Sequence, residues 1–338
     1  MVRGRSPNAT ADPLLALAMK HLPDLSPEML KDQSTIPALA RDSERIARVR
    51  MAISEIDTRH RLIQGDARNM SIIPDRSVHL IVTSPPYWTL KKYNSHKHKA
   101  QLGSISDYDE FNAQLARVWR EAFRLLVPGG RLVVVVGDVC MSRRKYGRHV
   151  VFPLHATIQE ACREIGFDNL APIFWHKIAN AQYEARGGGF LGKPYEPNAI
   201  IKNDVEYILL QRKAGGYRKP SLGMRALSVI SVEEHREWFQ QIWRLPGAST
   251  REHPAPFPLA LADRLVRMFS FVGDTVLDPF VGTGTTLVAC ASAARNSIGI
   301  EIDEEYWELA RRRFIKDSTD LFSQAKLELE HMPLEPIP

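Results

Sequence analysis

Apolar and polar positions change rhythm along this chain, and the changes divide it. From Ile36 to Ile56, Leu39, Ile46, Val49 and Ile53 recur at roughly helical spacing among many charges, so residues 1–58 read as a helical segment punctuated by Pro23, Pro27 and Pro37. Then short, nearly continuous apolar runs begin. Arg61-Leu62-Ile63-Gln64-Gly65-Asp66 predicts a short strand ending in a turn, and Val78-His79-Leu80-Ile81-Val82-Thr83 a strand of the buried type. Residues 89–103 form a polar, basic loop, and Tyr108 to Leu126 read as an amphipathic helix. That helix is expected to stop at the breaker Val127-Pro128-Gly129-Gly130, before a second buried strand, Arg131–Val136. A helix over 151–165 and a strand over 170–176 follow.

Between 179 and 250 the pattern loosens, with Gly187-Gly188-Gly189, scattered aromatics and one clear strand from Val205 to Leu210. This stretch reads as an insertion with its own small structure. Regularity returns with a helix from Pro258 to Phe269, a strand at Thr275–Leu277, a helix from Thr285 to Ala294 and a strand at Ser297–Glu301. Asp303 then caps a helix running to Phe314. Strands alternating with helices predict an α/β fold, with a mostly parallel sheet covered on both faces. The last twenty residues read as a tail, and no internal repeat is evident. The expected divisions are 1–58, 59–178, 179–250, 251–318 and 319–338.

Composition narrows the field little. The 338 residues are 44% hydrophobic, enough for a sizeable core, and no apolar run approaches the roughly 18 residues of a membrane span. The N-terminal apolar patch is broken by Lys20 and His21, and reads as a short helix rather than a signal peptide. A cytoplasmic protein without a membrane partner is expected. The net charge of +6 is compatible with a polyanionic partner but does not identify one. Cys140, Cys162 and Cys290 are widely spaced, none in a Cys-x-x-Cys pair and none after proline. Neither a disulfide framework nor a zinc site is indicated. His96 and His98 sit in a lysine-rich loop without partner ligands, so no metal is expected.

Two stretches carry chemistry. The strand ending at Asp278 runs into Phe280-Val281-Gly282-Thr283-Gly284-Thr285-Thr286 and then a helix. A strand, glycine turn and helix bring backbone N–H groups close to a ligand. Leu287 replaces the third glycine of a dinucleotide fingerprint, which weakens a pyrophosphate reading. Glu301, 17 residues after Gly284, suits a carboxylate that accepts hydrogen bonds from ribose hydroxyls. A ribose without a pyrophosphate fits S-adenosyl-L-methionine better than a nicotinamide dinucleotide. An ordinary βαβ turn with a helix-capping acid is the bland alternative.

The second stretch is Ser84-Pro85-Pro86-Tyr87. Transfer of a methyl group to an exocyclic amino nitrogen needs acceptors that draw the lone pair out of ring conjugation, and a planar wall to hold the ring. Ser84 Oγ and the Pro85 carbonyl supply acceptors, Pro85 and Pro86 stiffen the backbone, and Tyr87 offers a stacking face. A base inside a duplex reaches such a pocket only by leaving the stack. Trp88, Lys91, Lys92, Lys97 and Lys99 directly follow, and Arg143, Arg144 and Lys145 form a second basic loop; both suit phosphate contact. Taken alone, the tetrapeptide reads better as a strand-ending turn and the lysines as a solvated loop, and Trp88 is open to a core reading as well as a contact one.

Several ordered pieces over residues 60–315 together resemble the beta-class amino-methylating DNA methyltransferases. They are Gln64-Gly65-Asp66-Ala67, Thr83 to Trp88, Leu102-Gly103, Asp107-Tyr108, Trp119, Leu126 to Gly130, His253 to Pro258, Asp278 to Thr286 and Gly299 to Asp303. The resemblance implies a Rossmann-like S-adenosyl-L-methionine-dependent methyltransferase fold with a target-recognition region in 179–250. It implies Ser84, Pro85, Pro86 and Tyr87 as catalytic residues. It implies Asp66, Ala67, Phe257, Asp278, Phe280, Gly282, Gly284, Thr285, Thr286, Glu301 and Ile302 around the cofactor. Serine in the first motif position resembles the N4-cytosine enzymes, and aspartate is usual in N6-adenine ones. Double-stranded DNA is the implied partner, and the family also allows homodimers and a cognate restriction endonuclease. A non-catalytic DNA-binding subunit of the same fold, or methylation of RNA or of a protein amide, are the competing classes.

Overall fold

The computed structural model describes residues 12–88, 101–141, 146–148, 150–177, 204–247, 258–318 and 324–333. Nine strands make its central sheet: β1 Thr58–Gln64, β2 Val78–Thr83, β3 Leu126–Val136, β6 Phe167–Lys177, β7 Val205–Lys213, β8 Ile242–Leu245, β9 Thr275–Asp278, β10 Asn296–Glu301 and β11 Ala325–His331. Their order across the sheet is β11-β1-β10-β9-β2-β3-β7-β6-β8. Among these described strands β7 runs against its neighbours, and every other pairing is parallel. β4 (Val139–Met141) and β5 (Val150–Phe152) form a separate two-stranded ribbon.

The continuous apolar runs follow from burial on both faces. Alternate residues of each strand enter different cores. Ile81, Val134 and Val136 pack with Leu115, Val118, Trp119 and Ala122 of α4 (Tyr108–Leu125) and with Leu154, Ile158 and Cys162 of α5 (Leu154–Ile165). Leu80, Val82, Val133 and Val135 pack on the other face with Leu261, Leu265 and Val266 of α8 (Leu259–Phe269) and Ala289 of α9 (Thr285–Ser292). The helix α10 (Glu304–Ser318) covers β1 and β10 through Trp307, Ala310 and Phe314. Asp107 caps α4 by accepting from the Glu110 N–H at 2.8 Å, which fixes where that helix starts.

The N-terminal helices α1 (Pro13–His21), α2 (Thr35–Ala40) and α3 (Ser43–Ser54) pack onto the core. They share an apolar cluster with α6 (Leu222–Leu227), Val272 and Ala294. α1 and α6 meet so closely that a Cβ on Gly223 would lie 2.2 Å from the Leu15 nitrogen. A further helix, α7 (Val232–Trp238), starts at a capping box formed by Ser231 and Glu234.

Three expectations need correction. Val127-Pro128-Gly129-Gly130 does not separate helix from strand, because β3 runs through it. The interruption is absorbed as a register shift: Val78 pairs with Leu126 but Leu80 with Arg131. The described part of the 179–250 stretch is not a separate small structure either. β7 pairs with β3 and β6, and β8 with β6, so residues 205–213 and 242–245 extend the main sheet. The reason lies in the buried Ile208, Leu209 and Leu210, which feed the cores on both faces. Finally, 319–338 is not only a tail. Residues 325–331 form β11, pairing with β1 and held by Arg59–Glu328 at 2.6 Å and Arg61–Glu330 at 2.6 Å. Among the described residues no helix is long and apolar enough to cross a membrane.

Candidate active site

The chain leaves β9 through α9 toward β10, but leaves β2 through α4 toward β3, in the opposite direction across the sheet. β2 and β9 are neighbours, so the carboxyl ends of these two strands mark the point where the order reverses. That is where open α/β sheets form their binding crevice. A cleft of about 680 Å³, open at its mouth, lies there. Its walls come from the ends of four strands: Gly65, Asp66 and Ala67 after β1; Ser84 and Pro86 after β2; Pro279, Phe280 and Gly282 after β9; and Glu301 and Ile302 at the end of β10. Gln101, Leu102, Gly103 and Tyr306 complete it.

The two chemical halves are tied together beneath the floor. Asp278 is 1% exposed and accepts from Thr83 Oγ1 at 2.7 Å, Thr286 Oγ1 at 2.6 Å and the Phe280 N–H at 3.1 Å. One carboxylate thus joins β2, just before the serine motif, to the glycine turn. Burial pushes its pKa up to about 6, against the lowering effect of the three donors.

The turn after β9 is shaped for close approach. Gly282 and Gly284 have φ of 51° and 81°, left-handed values that glycine adopts without strain. A Cβ on Gly284 would meet Ala310 of α10 at 3.3 Å. From the same helix Arg313 donates to Thr283 Oγ1 and Thr285 Oγ1, both at 3.0 Å. Glu301 closes the turn from β10, accepting from the Gly282 N–H and from the Asp303 N–H, each at 3.0 Å. Burial pushes its carboxyl up to about 7, and the nearby Asp303 and Asp278 push the same way. Asp66 is held by Arg68, whose Nη2 lies 2.6 Å from Asp66 Oδ2 and whose backbone N–H donates to Oδ1 at 2.9 Å.

Of the residues singled out from sequence, Asp66, Ala67, Ser84, Pro86, Phe280, Gly282, Glu301 and Ile302 share the cleft. Pro85 and Tyr87 are buried behind it; the Tyr87 ring packs in the core, and Ser84 Oγ is 3.4 Å from its hydroxyl. Asp278, Gly284, Thr285 and Thr286 support the turn from behind rather than line it. For Trp88, expected as a DNA contact with a core position as the alternative, the structure gives the core position. At 3% exposure it packs edge-on against Tyr108 and Phe152. Its large apolar surface is better served under β5 than in solvent. Lys91, Lys92, Lys97, Lys99, Arg143, Arg144, Lys145 and Phe257 lie outside the described residues. Gln101 and Tyr306 were not anticipated. Tyr306 could have been suspected, because it falls in the first turn of the helix that follows Glu301.

Beyond the serine motif, the carboxyl edge of the sheet continues with paired polar groups. His155 Nδ1 lies 2.6 Å from Asp138 Oδ1, and its ring stacks on Tyr207 with centroids 3.8 Å apart. Lys177 pairs with Glu206, and His176 with Asp204. Trp175 is buried and donates to the Leu245 carbonyl at 2.9 Å, which anchors β6 to β8.

The sequence pattern of a DNA methylase family matches residues 78–312. The chain belongs to the N6/N4 DNA methylase family. This methylase is 40% identical over 277 residues to the type II methyltransferase M.MjaI of Methanocaldococcus jannaschii, covering 74% of this chain and 89% of that one. It is 33% identical over 279 residues to M.MthZI of Methanothermobacter thermautotrophicus, covering 76% of each. Among solved structures it resembles TTHA0409 of Thermus thermophilus, solved in complex with S-adenosyl-L-methionine. The TM-score there is 0.66 and the identity 52%, over 82% of this chain and all of that one. The PvuII cytosine-N4-specific DNA methyltransferase shares the fold at 18% identity and a TM-score of 0.57, over 79% of this chain and 91% of that one. The methylase therefore has a Rossmann-like methyltransferase fold.

Proposed function

We propose that this methylase transfers a methyl group from S-adenosyl-L-methionine to the exocyclic N4 of a cytosine flipped out of double-stranded DNA. One observation carries the reading: Ser84 and Pro86 share a single cleft with Gly282 and Glu301. The residues suit the cofactor. Glu301 can accept from ribose hydroxyls, Asp66 offers an acceptor to an adenine amino group, and Phe280 and Ile302 give apolar walls to its ring. When bound, the cofactor supplies a methyl group on an electrophilic sulfonium.

The protein's own part is to hold and polarise. Ser84 Oγ accepts a hydrogen bond from the amino group of the base, and the Pro85 carbonyl is the second acceptor. The nitrogen lone pair then points away from the ring, forms the new N–C bond as the S–C bond breaks, and the nitrogen releases one proton to solvent. No covalent enzyme nucleophile is required. Acceptors already fixed on the cleft wall need no reorganisation during the step, which makes each worth more than in water.

Serine at position 84 is the feature that favours cytosine; N6-adenine methylation is the second reading, because both amino groups pose the same chemical problem. The relatives named as type II methyltransferases support a cognate restriction endonuclease as partner. Cytoplasmic action on duplex DNA, with homodimerisation open to the family, completes the proposal. Mass spectrometry of hydrolysed DNA from a methylation-free host expressing the protein tests it. N4-methylcytosine is expected; N6-methyladenine would overturn the choice of base, and neither mark would overturn DNA as the substrate.

A further inference from the structure

Gln101 carries an arrangement that the motifs do not explain. It is 6% exposed, lies on the cleft wall, and its Nε2 donates to Asp303 Oδ2 at 2.9 Å. Asp303 is itself 1% exposed, and its other oxygen accepts from the Glu305 and Tyr306 N–H groups at 2.9 and 3.1 Å, capping α10. A carboxylate only accepts, so the amide must turn its nitrogen toward Asp303. Its oxygen is thereby committed to the other side. Among the described residues, Gln101 Oε1 is a buried acceptor without a hydrogen-bond donor. A buried acceptor of this kind is costly unless something donates to it.

The position of that acceptor indicates what the donor is. Asp303 touches both groups concerned: its side chain fixes Gln101, and its backbone N–H donates to Glu301 Oε1. Gln101 and Glu301 both line the cleft and are linked through Asp303, so their acceptors belong to one wall. A vicinal diol offers two O–H donors side by side. We infer that Gln101 Oε1 accepts a hydrogen bond from one ribose hydroxyl of the bound cofactor, with Glu301 taking the other. The inference rests on the cleft being the S-adenosyl-L-methionine site and adds to it a specificity-determining residue outside the glycine turn.

The test is calorimetric binding of S-adenosylhomocysteine and of its 2′-deoxy and 3′-deoxy analogues to the intact protein and to Gln101→Met. Methionine keeps the length and burial but has neither the carbonyl nor the amide. The intact protein is expected to bind one deoxy analogue about fivefold to tenfold more weakly than the parent, as one lost hydrogen bond implies. In Gln101→Met the parent should weaken by a similar factor, while the analogue lacking that hydroxyl should bind as it does to the intact protein. Equal weakening of all three ligands would mean a merely structural role and overturn the inference, as would no weakening at all. A second variant guards against a Gln101→Met protein that does not fold. In Glu301→Gln, discrimination against one deoxy analogue should persist through Gln101, and its loss against both would refute the assignment. If the intact protein bound S-adenosylhomocysteine not at all, the cofactor reading and this inference would fall together; normal binding with no effect at Gln101 would sink the inference alone.

Discussion

With Glu301 in its proposed role at the cofactor ribose, its carboxyl would make cofactor affinity depend on pH in a direction that can be worked out. Its pKa stands at about 7 against an ordinary 4.5, raised chiefly by burial. The difference corresponds to about 3 kcal/mol of preference for the neutral form, reduced in practice by the open side of the cleft. Only the carboxylate can accept hydrogen bonds at both oxygens while already serving the Gly282 and Asp303 N–H groups. At pH 6 about one molecule in ten carries it and at pH 8 about nine in ten, from the same titration. Affinity for S-adenosylhomocysteine should therefore rise about tenfold between pH 6 and pH 8 and level off above. Calorimetry across that range measures it, and Glu301→Gln should be flat. Stability of the ligand-free protein should move the other way. A carboxyl whose folded pKa is raised contributes stability that is fully present below the unfolded value and is lost as pH rises through the folded one. Unfolding midpoints should thus fall between about pH 5 and pH 8, and less so in Glu301→Gln. Asp278, raised to about 6, acts in the same direction over a lower window. An affinity that is flat with pH in the intact protein, or equally steep in Glu301→Gln, would refute the reasoning.

Other perturbations separate chemistry from support. Ser84→Ala should lower the rate of methyl transfer by about 10²–10³-fold, the usual cost of one fixed polar contact to the reacting group. Binding of S-adenosylhomocysteine should stay within about threefold, and near-normal turnover would remove Ser84 from the chemistry. Asp278→Leu strands three donors that the carboxylate now satisfies and should cost about 3–5 kcal/mol in urea unfolding. Asp278→Asn, which keeps an acceptor, should cost less than half of that, and equal losses would show that the hydrogen bonds are not the cause. Gly223→Val places carbon against the Leu15 backbone, 2.2 Å from its nitrogen. It should detach α1 and lower the unfolding free energy by about 3 kcal/mol, with faster proteolysis near residues 13–21 as the readout.

The sequence was most informative where one residue choice has a single physical cause. Buried strands need apolar residues on both faces, so β2 and the 131–136 part of β3 could be read from nearly continuous apolar runs. The glycine turn and Glu301 were legible because a strand, two glycines and a returning acid leave few alternatives. Legibility failed where pairing overrides local chemistry. Pro128 and Gly129 break most structures, yet β3 tolerates them because the register shift against β2 leaves their backbone outside the regular ladder. β11, read as part of a tail, alternates Ala325, Leu327 and Leu329 with charged residues, and Arg59 and Arg61 of β1 pair with its Glu328 and Glu330. Trp88 and Gln101 illustrate a different limit. What a tryptophan or an amide does depends on neighbours that arrive from Phe152 and Asp303, far away in sequence.

The placement of β1 between β10 and β11 has a consequence for how the protein is made. The cleft wall draws on Asp66, just after β1, and on Glu301 and Tyr306, more than two hundred residues later. A ribosome delivers β2, β3, β6 and β7 long before β10 emerges, so the segment bearing Ser84 can begin to pack while β1 still lacks both neighbours. Contacts of such long sequence separation form late and slowly. During synthesis β1 is an unpaired strand with apolar Leu62 and Ile63 exposed, and it needs protection until roughly the last tenth of the chain arrives. Until residues 296–306 arrive, a chain that already carries the serine motif lacks the Glu301 and Tyr306 side of the cleft.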